Sequence, residues 1–241
     1  MKVSLFVTCL VDQLFPQVGL STVRVLERLG VEVDFDPGQT CCGQPAFNSG
    51  FTDEAAKVAR HFLEVYRDAD NIVVPSGSCC AMIKVFLPRL FEEGSPEQSA
   101  AREIAERTYE LSDFLVSVLG VTRTGSAFHE SVTYHDSCHA LRELGVREQP
   151  RTLIRGVDGI DFREMQNSER CCGFGGTFSV KFADVSSAIG LDKIKSILDS
   201  GASYVVATDV SCLMHIGGLL KRKQIPVQTL HLAELLSKSH D

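Results

Sequence analysis

Short apolar runs and helix-spaced apolar positions alternate along the chain. Lys2 to Thr8 is a β-rich apolar run, after which Val18, Val25, Leu26 and Leu29 recur at helical spacing until Gly30 closes the helix. Val31 to Phe35 then alternates as a strand does. Asp53 to Tyr66 places Ala56, Ala59, Phe62, Leu63 and Tyr66 on one helical stripe, Ile72 to Val74 reads as a buried strand, and Cys80 to Phe91 reads as a helix. The rest of the chain repeats this order. It has a strand at Val132 to His135, a helix between Ala140 and Arg155, a strand near Phe162, a helix from Ser186 to Leu198, a strand at Tyr204 to Ala207, and helices after Cys212 and His231. Such alternation predicts an α/β fold of parallel β-α units.

The chain divides into two pseudo-symmetric repeats, residues 1–124 and 125–241, with the Thr-, Gly- and Ser-rich stretch Thr122 to Glu130 as linker. Glu93 to Ala101, with Gly94, Ser95, Pro96 and Ser99, is an insertion expected in the first half alone. Cysteines set the register: Cys9 and Cys138 lie 129 positions apart, Cys41 and Cys171 as well as Cys42 and Cys172 lie 130 apart, and Cys79 and Cys212 lie 133 apart. Flanking residues agree, Val3 to Thr8 with Val132 to Ser137, Ile72 to Val74 with Tyr204 to Val206, and Glu110 to Leu115 with Leu230 to Leu235. Cys80 falls outside the scheme, opposite Leu213, and reads as a core contact.

Composition narrows the function classes. A net charge of -7 over 241 residues leaves no basic patch able to neutralise several phosphates, which argues against nucleic-acid binding. The longest apolar stretch, Tyr204 to Leu220, is interrupted by Asp209 and His215, so no membrane span is expected. The apolar start imitates a short signal peptide, but Asp12 interrupts it and no small-residue cleavage site follows; a first core strand and a cytoplasmic protein are the expectation. Nine cysteines, an odd number in a chain without secretory features, then call for a chemical role rather than a disulfide framework.

Each repeat places its cysteines after strands, at the carboxyl edge where parallel sheets bind ligands, so four thiols are expected to converge in each half. Cys79 and Cys212 open helices, whose free N–H groups favour thiolate. Gly43 and Gly173 follow the cysteine pairs, where the backbone must turn tightly. No local C-x2-C knuckle of a structural zinc site exists, whereas four thiolates from a prebuilt fold match a [4Fe-4S] cluster. His135 and His139, which flank Cys138, are candidate donors to sulfur or proton carriers. His61, His129, His231 and His240 read as ordinary solvated or core histidines. There is no G-x-G-x-x-G, so Gly173 to Gly176 is not read as a dinucleotide loop.

The segments Pro75-Ser76-Gly77-Ser78-Cys79, Tyr134-His135-Asp136-Ser137-Cys138-His139, Cys171-Cys172-Gly173-Phe174-Gly175-Gly176 and Thr208-Asp209-Val210-Ser211-Cys212-Leu213-Met214-His215 resemble the cysteine-rich CCG-domain family. That family includes the heterodisulfide reductase B subunit and glycolate oxidase iron-sulfur subunits, and the likeness is nearest to its lactate-utilization members. It implies an iron-sulfur electron-transfer subunit of a cytoplasmic system that oxidises L-lactate to pyruvate, an oxidoreductase component that acts with partners. Its implied partners are a ferredoxin-like iron-sulfur protein and a third subunit. It implies one or two iron-sulfur clusters per chain, [4Fe-4S] in type, bound as metal ligands by Cys9, Cys41, Cys42 and Cys79 in one site and Cys138, Cys171, Cys172 and Cys212 in the other. The full family pattern has five cysteines per half, and here the fifth positions hold Ser76 and Asp209, so an oxygen ligand is open at each. Two other classes stay open: a thiol-disulfide or heterodisulfide reductase-like subunit, and a zinc-binding interaction module.

Overall fold

In the computed structural model, which describes residues 1–239, each half builds one four-stranded, wholly parallel sheet. The first half runs β1 (Lys2–Leu5), α1 (Cys9–Leu14), α2 (Pro16–Arg28), β2 (Glu32–Asp34), α3 (Gln44–Asn48), α4 (Thr52–Val65), β3 (Ile72–Val74), α5 (Gly77–Ala81), α6 (Pro96–Glu106), β4 (Thr108–Glu110) and α7 (Leu111–Asp113). α5 continues as a π-helical stretch over Met82–Phe86 and a 3-10 turn over Leu87–Leu90, and α7 as a π-helical stretch over Phe114–Val118. The second half runs β5 (Ser131–Tyr134), α8 (Cys138–Leu144), α9 (Glu148–Arg155), β6 (Asp161–Phe162), α10 (Phe178–Lys181), α11 (Ala183–Asp199), β7 (Tyr204–Ala207), α12 (Val210–Arg222), β8 (Gln228–His231) and α13 (Leu232–Ser237). His240 lies outside the described residues.

The strand orders, β2-β1-β3-β4 and β6-β5-β7-β8, are the same order twice. Pairing also fixes the repeat alignment. Val74 is opposite Glu110 and Ala207 is opposite His231, and both Glu110 and His231 cap the helix that follows. Glu110 is therefore the counterpart of His231 and Ile72 that of Val205, one residue further on than the flanking sequences suggest. The insertion in the first half is α6, a helix capped by Ser95, whose Oγ accepts from the Gln98 N–H at 3.1 Å. The second half passes from α12 to β8 without one.

Local chemistry accounts for the main elements. Proline at the first position of α2 costs no hydrogen bond, and Val18, Thr22, Val25 and Leu26 form its buried stripe. Asp53 and Glu54 sit in the first turn of α4, where the helix dipole favours acid, and Ala55, Ala59, Phe62 and Leu63 face the core. β3 is buried at all three residues, as expected of an inner parallel strand covered on both faces.

The halves are joined across a pseudo-two-fold axis. α2 packs on α13 and α5 on α8, and the repeat-related pairs, α9 with α7 and α12 with α1, also touch, less extensively. One core cluster runs through both halves, including Val11, Val25 and Leu26 from the first and Leu153, Val210 and Leu235 from the second. Arg28 adds polar ties, donating to the carbonyls of Leu236 at 3.2 Å and Ser237 at 2.8 Å. At the α5–α8 contact, a Cβ on Gly77 would lie 2.5 Å from the Ala140 Cβ, so only glycine allows this approach. The equivalents of Gly77 and Ala140 are Val210 and Val11, larger residues at the less extensive contact.

Candidate metal centre

In each sheet the chain leaves the first inner strand toward one edge and the second toward the other, so a crevice opens at the carboxyl ends of β1 and β3, and of β5 and β7. The cysteines occupy these crevices. Cys9 and Cys138 are the first residues of α1 and α8, Cys79 and Cys212 are the third residues of α5 and α12, and the paired cysteines arrive on the loops after β2 and β6. The pseudo-two-fold axis then turns the crevices toward each other. Cys9, Cys41, Cys42, Cys79, Cys138, Cys171, Cys172 and Cys212 all line a single cavity of about 250 Å³ between the halves. Cys80 does not line it; it is fully buried in the core of the first half.

Within each set the thiols are in contact but unbonded. Sγ–Sγ distances are 3.6 Å for Cys9–Cys41, 3.4 Å for Cys42–Cys79 and 3.0 Å for Cys172–Cys212, well beyond the roughly 2.05 Å of a disulfide. Charge concentrates on the first member of each pair. Hydrogen bonds from Cys42 and Cys9, helped by the Gly43 and Cys42 N–H groups, hold Cys41 far below the ordinary thiol range; Cys138, Cys172 and the Gly173 N–H do the same for Cys171. The donors Cys9 and Cys138 are pushed up in return. Cys212 falls to about 6, through Cys172 first and then His135, against the effect of burial.

The glycine after each pair is required by the backbone. Gly43 has φ 84° and Gly173 φ 92°, and a Cβ on Gly173 would also come within 2.4 Å of the Ser186 carbonyl oxygen. The loop before Cys171 is held from beneath by Lys193, buried on α11, whose Nζ donates to the carbonyls of Asn167 and Ser168 at 3.0 Å each. Burial pushes that ammonium down to about 8. Arg151 on α9, also buried, grips Asp136 through two bonds of 2.8 and 2.7 Å and fixes the turn between β5 and Cys138.

Ser76 and Asp209, repeat equivalents, meet on the axis at the floor of the cavity. Asp209 accepts from the Ser76 and Ser78 hydroxyls at 2.7 Å each and from the Ser78 N–H at 3.1 Å. These bonds tie the turn that carries Cys79 to the turn that carries Cys212. Arg151 and Lys193 have no signal in the sequence, because a cation on an amphipathic helix reads as surface; Ser78 lies in a segment shared with the family, but its role as a donor to Asp209 does not show there. His139 lines the cavity, edge-on to Phe86 of the first half at 5.9 Å, and Phe174, also from the second half, lines it too. His135 lies just beneath, fully buried, with a ring nitrogen in one group with the Cys172 and Cys212 sulfurs, all within 4.8 Å of one another. Eight thiols gathered on one cavity, with a buried imidazole beside two of them, are the soft donor set of a thiolate metal or iron-sulfur centre.

Among the described residues no helix is long and apolar enough to cross a membrane. The cysteine-rich (CCG) domain family matches residues 3–84 and again 132–217. Curated relatives include Lactate utilization protein A of Bacillus subtilis, 47% identical over 98% of this chain and 99% of its own. Lactate utilization protein A 2 of Bacillus cereus is 46% identical over 99% and 98%. Among solved structures, a hypothetical protein from Helicobacter pylori superposes with a TM-score of 0.67 at 11% identity, over 98% of this chain and 48% of that one, a likeness of fold. The chain belongs to the cysteine-rich CCG-domain family, with one copy of the domain in each half, in the group that contains the Lactate utilization protein A sequences.

Proposed function

We propose that this chain is the iron-sulfur electron-transfer subunit of a cytoplasmic lactate oxidation system. The reading rests on one observation: all eight repeat cysteines, and not Cys80, line one cavity between the halves. The name of the B. subtilis relative supplies the metabolic context. Cys9, Cys41, Cys42 and Cys79 would hold one centre, and Cys138, Cys171, Cys172 and Cys212 the other. The bound centres would supply one-electron chemistry at low cost in reorganisation. The chain's own part is to gather the thiolates, place negative charge on Cys41 and Cys171, and wall the centre with Phe174 and His139. Lactate oxidation itself and the passage of electrons onward would fall to a ferredoxin-like partner and a third subunit.

The test is anaerobic purification followed by measurement of iron, acid-labile sulfide and zinc per chain, with visible spectra before and after dithionite. About four irons and four sulfides per loaded site are expected, and bleaching on reduction. Zinc without sulfide would make the chain a zinc-binding module instead. Metal-free protein whose Cys172 and Cys212 form and break a disulfide would favour a thiol-disulfide reductase, since their sulfurs are 3.0 Å apart.

A further inference from the structure

The two half-sites differ in one residue beneath the sulfurs. His135, three residues before Cys138, stands where the first half has Phe6, three residues before Cys9. Phe6 is fully buried and satisfied by packing, edge-on to Phe62 at 5.2 Å and to Tyr66 at 5.9 Å. His135 is as deeply buried, at 1% exposure, yet neither ring nitrogen has a nitrogen or oxygen partner, and the group it acts on is the Cys212 thiol. A buried imidazole ordinarily satisfies both nitrogens. His231, also buried at the seam, does so: its Nε2 meets the Thr208 carbonyl at 3.0 Å and its Nδ1 accepts from the Ala233 N–H at 3.1 Å. The carboxylate nearest in sequence to His135, that of Asp136, is already taken by Arg151. What remains in reach of the His135 ring is sulfur, since one of its nitrogens lies within 4.8 Å of both Cys172 and Cys212, themselves 3.0 Å apart.

We propose that His135, Cys172 and Cys212 ligate one metal atom, so that the second-half centre is a mixed nitrogen-sulfur site while the first-half centre, with Phe6 in the matching place, is all sulfur. Two thiolates and one imidazole suit a borderline-soft cation such as iron or zinc, and leave at least one position on that atom facing the cavity. A neutral nitrogen donor added in the second half alone makes the two centres inequivalent electron carriers. The proposal rests on the reading that the cysteine sets bind metal, and in the second half it replaces a centre with one cysteine per iron by one in which a single metal atom takes two thiolates.

The test uses the full-length holoprotein, purified anaerobically from cells grown with 15N- or 14N-histidine, reduced with dithionite and read by pulsed EPR for nitrogen coupling. The same chain, stripped and refilled with Co(II), is read by NMR for a paramagnetically shifted, slowly exchanging imidazole N–H, so that an EPR-silent native centre is still scored. One histidine nitrogen per chain is expected in either measurement, lost in His135→Phe, which copies the first half. His135→Cys should keep the metal count and lose the nitrogen signature, which guards against a folding defect in the first variant. Metal bound by the wild type with no histidine signature in either measurement overturns this inference and leaves the parent reading standing. No uptake of iron or Co(II) overturns both.

Discussion

Asp209 offers the sharpest discrimination between a metal ligand and a structural clamp. It is 2% exposed and accepts from two hydroxyls and one backbone N–H of the Ser76 to Ser78 turn in the opposite half. Hydrogen bonds to a charged acceptor contribute about 1.5–3 kcal/mol each, against about 1 kcal/mol for neutral ones. Asp209→Asn keeps the shape and one acceptor oxygen but gives up the charge, so it should cost about 2–3 kcal/mol; Asp209→Ala strands three donors in a dry seam and should cost about 3–5 kcal/mol. Urea unfolding of reduced, metal-free protein would measure both. A clamp predicts a further result: Asp209→Asn and Ser76→Ala are non-additive by about 1 kcal/mol or more, because they remove the same bond. The folded fraction of Asp209→Asn should keep the wild-type iron and sulfide per chain. If stability were unchanged while one iron per chain was lost, Asp209 would be an oxygen ligand and the clamp reasoning would be wrong.

Three further outcomes follow from the seam and the core. Glu110, 1% exposed, is raised to about 7 mainly by burial, partly offset by Ser112 and the Asp113 N–H, with Asp113, Cys80 and Tyr134 near it. Because the folded pKa lies above the ordinary value of 4.5, folding binds a proton between those pH values and loses stability as pH rises through them; the shift is worth about 3 kcal/mol. The stability of Glu110→Gln relative to wild type should therefore climb by that order between pH 4.5 and pH 7.5 and then level off, and a flat difference would contradict it. Gly77→Ala should destabilise by about 1–3 kcal/mol through the contact with Ala140, and Ala140→Gly should recover part of that loss in a double-mutant cycle. Cys80→Ala should leave iron and sulfide per chain untouched and cost about 1 kcal/mol of stability, because Cys80 is a buried core thiol outside the cavity.

The sequence makes legible what depends on residue type at fixed separation. Matched cysteine offsets mark the repeat, strand-helix alternation marks the parallel sheets, and the glycine after each pair marks a turn that other residues resist. Fourth strands are another matter: β4 has three residues, Thr108–Glu110, and β8 four, too short for a period to show. The shared cavity was hidden for a different reason. Its existence depends on how one half sits on the other, and that is set by Gly77 against Ala140 and by α2 on α13, contacts made of small or ordinary core residues that form no motif. Two separate sites and one common cavity are equally compatible with the cysteine spacing.

The positions where the repeat breaks are then the informative ones. A pseudo-two-fold axis brings equivalent residues together, so whatever stands at such a position in one half meets its own counterpart. Two aspartates there would repel in a dry seam, and two serines would share a weak neutral bond. Ser76 against Asp209 gives a charge-assisted bond that a strictly symmetric pair of halves could not make. The same holds beneath the sulfurs, where Phe6 closes one half with an aromatic cluster and His135 gives the other an imidazole whose neighbours are the Cys172 and Cys212 sulfurs. Cysteines that keep register define what the halves have in common; Ser76, Asp209, Phe6 and His135 define why two copies of one half would not make this site.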